Sequence, residues 1–535
     1  MFEKIGTMVD CSRNAVMKKG MVKKWIDITS SLGYNTLMLY TEDTYEVENQ
    51  PYFGYLRGRY TLEELKELDN YASEKGVELI PCVQALAHLN AIFRWPVYKP
   101  LRDADDILMA GEEETYKLIE DMFRSLRKCF RTNLLHAGMD EAFLVGRGKY
   151  MEKNGYVSRP QVVLEHIKRV TKIAEKYGFE LILWGDVFTS LLDNTSAEEI
   201  RAKIPQKVMP CSHSYYSETK ETYLNIFDTY SKFCDMNWFA GGFWSWTGFS
   251  PDNRYSISAS IQAIEACRER NVKNIIFTLW GDDGGETSRF SLLPTLFYVS
   301  EYIKGNKNEA NIKEKFQKTF DISYDEFMLL NLPGTPSDIE GLHLNYDKIH
   351  LFNDPLMGIF DPIIKGDEKE QYLNCAAKLK AVADKGGEFS YLFRTLQRLC
   401  EVDSVKADFG VRLRTAYKTK NKKALKELVN ECDLITQKIN ILYKAFQIQW
   451  DTENHPGGFD IQDIRFGTIK QRMENTKNKI TAYLNGNIDK IEELEEELLY
   501  PYLNPHGTDD FSQGHRWWRD IVSPNVLSML IHNNA

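Results

Sequence analysis

Up to about residue 304, short apolar runs alternate with longer stretches whose apolar positions recur every three or four residues. The runs are "IGTMVDCSR", "YNTLMLYTED", "VELIPCVQAL", "NLLHAGMDEA", "FELILWGDVF", "KVMPCSHSYY", "WFAGGFWSWTG" and "NIIFTLWGDD". Intervening stretches such as "LEELKELDNYASEKG" and "VLEHIKRVTKIAEKYG" carry their apolar residues on one helical face. Several end on Gly, a common helix stop. Near-continuous apolar strands alternating with helices predict a parallel sheet covered on its faces. Eight such units predict an α/β fold, a (β/α)8 or TIM barrel, over residues 1–304. A doubly wound open sheet would want a Gly-rich phosphate loop after its first strand, and "DCSRNAV" is not one.

Beyond about residue 305 the strand pattern stops. "EKEQYLNCAAKLKAVADKG", "KKALKELVNECDLITQKINILYKAFQIQW" and "RFGTIKQRMENTKNKITAYLNGNIDKIEELEEELL" are helical, which predicts an all-α domain over 305–535. "NLPGTPSDIEGLHLNYD" has the Pro and Gly content of a connection. The long charged helices are expected to pack on the barrel, with a homodimer as the alternative use of the same faces.

Composition narrows the class. With 43% hydrophobic and 27% charged residues the chain is a globular protein, and 535 residues exceed one ordinary core. A formal net charge of -10 argues against nucleic acid or an anionic membrane as partner. Nine cysteines without a CxxC pair read as free thiols of a reducing compartment. With no signal-peptide layout at "MFEKIGTMVDCSR" and no run long enough to span a bilayer, a cytoplasmic protein is expected.

In a barrel of this kind the C-terminal strand ends face the site. Here they carry Asp10 and Arg13, Glu42 and Asp43, His88, then His136, Asp140 and Glu141. The remaining ends carry Trp184 and Asp186, His213, Tyr215 and Tyr216, Trp244 and Trp246, and Trp280 and Asp282. Singly, each has a plain structural use: a strand-end Asp caps a helix, a Trp fills a core, and His136 is a hydrogen-bonded core histidine. Together they join aromatic faces, which stack on sugar rings, to carboxylates and an Arg, which bind hydroxyls. Phosphate would want more basic groups. No tight His/carboxylate triad appears, so no metal is expected, and no cofactor.

At "HAGMDEA" the pattern His-x-Gly-x-Asp-Glu resembles glycoside hydrolase family 20, the β-N-acetylhexosaminidases. "LILWGDVF" resembles that family's fifth-strand Trp motif, "FTLWGDDGG" its eighth-strand Trp-x-Glu, and "DCSRNAV" its early Arg. The tail with "QWDTENHPGGFDIQDIRFGTIKQRM" resembles the branch with a C-terminal α-domain. The resemblance implies Glu141 as general acid/base and Asp140 as the anion that orients the substrate's 2-acetamido group. It implies Arg13 and Asp282 as hydroxyl binders, and Trp184 and Trp280 as walls of the acetamido pocket. His88, with Glu42 or Asp43, would form a histidine–carboxylate relay, and His136 would be the motif's buried histidine. The implied activity is exo-acting, retaining removal of terminal β-linked GlcNAc or GalNAc from glycans through an oxazolinium ion.

Three departures stand out. The family usually has a small α/β domain before its barrel, and here the first strand begins almost at Met1. The seventh-strand Tyr-x-Asp is replaced by Trp244-Ser245-Trp246, and the sixth strand offers Tyr215 and Tyr216 instead of Trp. One of these tyrosines is expected to supply the missing hydroxyl. Asp282 is shorter than the usual Glu, which leaves the GlcNAc or GalNAc preference open. Adjacent strand residues point to opposite faces, so an outward-facing acid is the competing reading of the Asp140–Glu141 pair. A sugar-binding or inactive relative, and a metal-dependent lyase or aldolase, remain as alternatives.

Overall fold

The eight apolar runs become eight parallel strands in the computed structural model, which describes residues 2–282, 284–335 and 346–500. They are β1 (Lys4–Asp10), β2 (Thr36–Tyr40), β3 (Glu78–Cys82), β4 (Leu134–His136), β5 (Glu180–Trp184), β6 (Val208–His213), β7 (Trp238–Gly242) and β8 (Asn274–Leu279). Each pairs with the next in chain order, and β1 pairs with β8 to close the barrel. The expected (β/α)8 fold is therefore the observed one.

β2 and β8 are buried at every position, as strands covered on both faces require. Gly6 sits where β1 meets both neighbours: a Cβ there would fall 2.6 Å from the carbonyl oxygen of Thr36 and 2.7 Å from Cδ1 of Ile276. The helix Leu62–Glu74 begins at a capping box, Thr61 receiving the Glu64 N–H while the Glu64 side chain receives that of Thr61. Its buried face holds Leu65, Leu68 and Ala72. Each such leucine contributes about 1.5–3 kcal/mol by leaving water. Trp25, on the helix Lys19–Ser31, donates its indole N–H to Thr7 Oγ1 at 3.0 Å, which fixes that helix against β1.

The chain forms two compact units. The first takes the chain up to Phe243, Tyr255–Trp280 and Thr295–Lys307; the second takes Trp244–Arg254, Gly281–Pro294 and the described chain from Asn308. The segments that follow β7 and β8 thus belong with the helices. Within the second unit Phe249 packs on Phe446 with ring centroids 5.3 Å apart, and Ser250 donates from N and Oγ to Asp347. Its long helices are Glu368–Ala383, Ser390–Lys406, Lys422–Glu453 and Phe459–Leu484. Residues 336–345 of the expected connection and the chain after residue 500 lie outside the described residues. All nine cysteines are buried and free, and no described helix is long and apolar enough to cross a membrane.

One buried acid of the second unit gives a stability prediction. Burial pushes Asp361 up to about 7, against a hydrogen bond from Asn353 at 2.9 Å. Its folded pKa exceeds its unfolded one, so the protonated form stabilises the fold at low pH. That stability is lost as pH rises from about 4 through about 7, by up to about 4 kcal/mol. Asp361→Asn is expected to raise the urea midpoint at pH 8 and leave it unchanged at pH 4. An equal effect at both pH values would contradict the assignment.

Candidate active site

β4 is three residues long and stops at His136. After it the chain turns left-handed at Gly138 (φ 66°), Met139 (φ 75°) and Glu141 (φ 53°). Strand alternation therefore does not apply to the two acids. A side chain at Gly138 would place its Cβ 2.1 Å from Gln84 Oε1, so the turn requires Gly there. Gln84, fully buried just after β3, accepts the Met139 N–H at 2.8 Å. Its amide nitrogen donates to Asp140 Oδ1 at 2.6 Å and to the Tyr40 hydroxyl at 2.8 Å.

Both acids meet at one imidazole. His88 Nε2 lies 3.1 Å from Asp140 Oδ2 and 3.7 Å from Glu141 Oε2. The two side chains thus turn toward the same ring and not to opposite faces. Their environments differ: the Asp140 side chain is 17% exposed and that of Glu141 64%. Burial opposes ionisation of Asp140, but the adjacent His88 charge and the hydrogen bond from Gln84 outweigh it and hold the carboxyl well below the usual range. Burial likewise opposes the imidazolium of His88, and Asp140 prevails in raising its pKa. The carboxylate beside the other ring nitrogen is Asp106, whose Oδ2 lies 3.8 Å from His88 Nδ1 and accepts the backbone N–H of His88 at 3.1 Å. Of the two carboxylates that the sequence reading offered His88, Glu42 contributes to raising its pKa. Asp186, after β5, accepts the Glu141 N–H at 2.9 Å; burial and then the Asp140 charge push it up to about 6.

A second group gathers around Arg13. Its Nη1 lies 3.1 Å from Glu42 Oε1 and 3.6 Å from Asp10 Oδ2. The guanidinium stands over the rings of Tyr40, at 5.2 Å, and Trp280, at 5.5 Å. Tyr40 meets Trp280 edge-on at 4.8 Å, and Trp280 lies 5.9 Å from Trp184. The belt continues through His136, 4.5 Å from Trp184, and through His213, on which Tyr215 stacks at 5.4 Å. Burial pulls His136 down to about 3, so it is a neutral member of that belt.

The first unit thus brings together Arg13, His88, His136, Asp140, Glu141, Trp184, Tyr215 and Trp280. Asp43 is engaged elsewhere, with Arg57 at 3.3 Å, and Tyr216 is 67% exposed. Trp244, Trp246 and Asp282 fall in the second unit, where the two tryptophan rings lie 4.5 Å apart. Gln84, Tyr40 and Asp106 were not singled out from sequence. Among the described residues no three His, Cys, Asp or Glu side chains are grouped to hold a metal ion.

The model of the "Glycosyl hydrolase family 20, catalytic domain" matches residues 2–207, and that of the "Glycoside Hydrolase 20C C-terminal domain" matches residues 325–512. The chain belongs to glycoside hydrolase family 20. It is similar to beta-hexosaminidase 3 of Arabidopsis thaliana, 24% identical over 34% of this chain and 37% of the relative. It is also similar to hexosaminidase D of Homo sapiens, 23% identical over 38% of this chain and 44% of the relative. The chain spans less than half the length of either. Among solved structures it is similar to the GH20 exo beta-N-acetylglucosaminidase from Vibrio harveyi, 16% identical with a TM-score of 0.47, covering 62% of this chain and 58% of that one.

Proposed function

We propose that this family 20 protein is an exo-acting, retaining β-N-acetylhexosaminidase that uses the substrate's own 2-acetamido group as nucleophile. The observation that carries the reading is the convergence of Asp140 and Glu141 on His88 Nε2 from unlike surroundings. Two carboxylates serving as acid and nucleophile would flank the bond about 5–5.5 Å apart, and substrate-assisted enzymes are the exception to that plan. Neighbouring acids beside one imidazole fit the exception. Glu141, the more accessible, gives its proton to the glycosidic oxygen as the bond to the anomeric carbon breaks. The acetamido oxygen forms the new bond to that carbon, and the positive charge of the resulting oxazolinium spreads to its nitrogen. Asp140, kept ionised, accepts a hydrogen bond from that N–H. Water then adds to the anomeric carbon, leaving its proton on Glu141, and opens the ring with net retention.

Trp184, Trp280 and Tyr40 supply apolar walls that hold the acetamido group near its attack position and exclude water. Arg13, with Glu42 and Asp10 fixing its guanidinium, binds ring hydroxyls. Of the two sixth-strand tyrosines, Tyr215 is the one assigned to the acetamido carbonyl, because its ring lies in the belt and Tyr216 is exposed. The natural substrates are N-acetylhexosamine-terminated glycans.

The test compares nitrophenyl N-acetyl-β-glucosaminide with the plain β-glucoside. Removal of the internal nucleophile is expected to lower kcat/KM by about 10³-fold or more, because a well-oriented neighbouring group is worth at least that much. Equal turnover of the two would remove the mechanism. The matching galactosaminide reports the preference at the 4-hydroxyl.

A further inference from the structure

We propose that Gln84 is the positioning residue for Asp140, holding both the carboxylate and the turn that carries it. The inference rests on the role given to Asp140 above.

The amide of Gln84 has only one workable orientation. Met139 N–H can only donate, so the atom 2.8 Å from it is the carbonyl Oε1. The nitrogen then faces Asp140 Oδ1, 2.6 Å away, and an ionised carboxylate can only accept. The same nitrogen donates to the Tyr40 hydroxyl, which is left to donate to Glu42 Oε1 at 3.1 Å, and Glu42 pairs with Arg13. Gln84 therefore donates to both sides, to Asp140 and to Tyr40, and Glu42 closes the series by accepting from both Tyr40 and Arg13. Each residue in the series is buried or nearly so, where an unmade hydrogen bond is expensive. Gly138 completes the arrangement, because any side chain there would occupy the Gln84 carbonyl.

A neutral amide is the group this position needs. Glutamate has nearly the same shape and would still accept from Met139. It would, however, offer no N–H to Asp140 and would add a second negative charge beside it. Tyr40 would also turn toward the new carboxylate and away from Glu42, releasing one of the contacts that fix Arg13. The titratable groups facing this cluster are Asp10 and Arg13 at the end of β1, Tyr40 and Glu42 at the end of β2, Cys82 in β3, and His88 and Asp106 after it. His136 and Glu141 face it from the end of β4, Asp186 from after β5, and His213 and Tyr215 from the end of β6.

The experiment uses the full chain and nitrophenyl N-acetyl-β-glucosaminide, with Gln84→Glu and Gln84→Met beside the wild type. Gln84→Met keeps the length and removes every polar contact. Its kcat is expected to fall by about 10²-fold with KM changed less than about threefold, because Asp140 acts in the transition state. In Gln84→Glu, two carboxyls in contact share a proton at low pH, and the shared O–H replaces the lost N–H donor. Its kcat relative to wild type is therefore expected to rise by about tenfold as pH falls from 8 to 5. A flat ratio across that range, or a folded Gln84→Met with wild-type kcat, would overturn the assignment. If Gln84→Met does not fold, the pH ratio of the nearly isosteric Gln84→Glu decides alone. A wild type without turnover refutes the proposed activity instead. The role of Gln84 then stands or falls on His88 titration by NMR: loss of the Asp140 anion's support is expected to lower the His88 midpoint in Gln84→Met.

Discussion

Glu141→Gln is expected to lower kcat/KM by about 10²–10⁴-fold on glycosides with a poor leaving group, the range for loss of a positioned proton donor. Gln occupies the same volume and keeps the backbone N–H that donates to Asp186. The side chain it replaces is 64% exposed, so stability should change by less than about 0.5 kcal/mol. The loss should depend on the substrate. A nitrophenolate leaves without help, so for it the first step barely needs the acid and the deficit should shrink. An alkyl or sugar aglycone leaves only when protonated and should show the whole deficit. Parallel losses on both substrate types would mean that Glu141 binds sugar and does not transfer its proton.

The barrel was legible because its strands are buried on both faces, and runs such as "TLMLY" and "NIIFTL" can serve few other structures. The end of β4 was less so. Strand alternation through Asp140 and Glu141 would set one acid outward; the left-handed turn at Gly138 and Met139 brings both within reach of His88. The glycine was visible, but its reason, the Gln84 carbonyl against its α-carbon, comes from another strand. Asp106 was hidden for a related cause. It sits in the irregular stretch between β3 and the helix Glu113–Cys129, where no periodicity marks a position as facing the site. Asp43, a strand-end carboxylate beside Glu42, was read as a site residue, and its partner Arg57 lies 14 residues on, where no pattern announces it. The placement of the segments after β7 and β8 with the helices could not be read locally either. It depends on pairs such as Ser250 with Asp347, 97 residues apart.

Asp140→Asn carries the other large expected effect, a fall in kcat of about 10²–10³-fold, typical of removing one preorganised group from a developing charge. The amide is nearly isosteric but neutral, and it presents either an oxygen or an N–H₂ to Gln84, never two anionic oxygens. Azide should not restore activity, because no carboxylate nucleophile has been removed. The change must also appear at His88. In the wild type Asp140 is what raises that imidazole against burial, so His88 stays charged through neutral pH. Without the anion burial prevails, and the His88 midpoint should move below its ordinary value of 6.5. The sign extends to stability. A raised histidine stabilises the fold below its unfolded pKa and loses that contribution as pH climbs through its folded one. The wild-type advantage over Asp140→Asn should therefore be present near pH 6 and shrink in alkaline solution. An unmoved His88 midpoint in a folded Asp140→Asn, with kcat within threefold of wild type, would remove the buried anion from the mechanism.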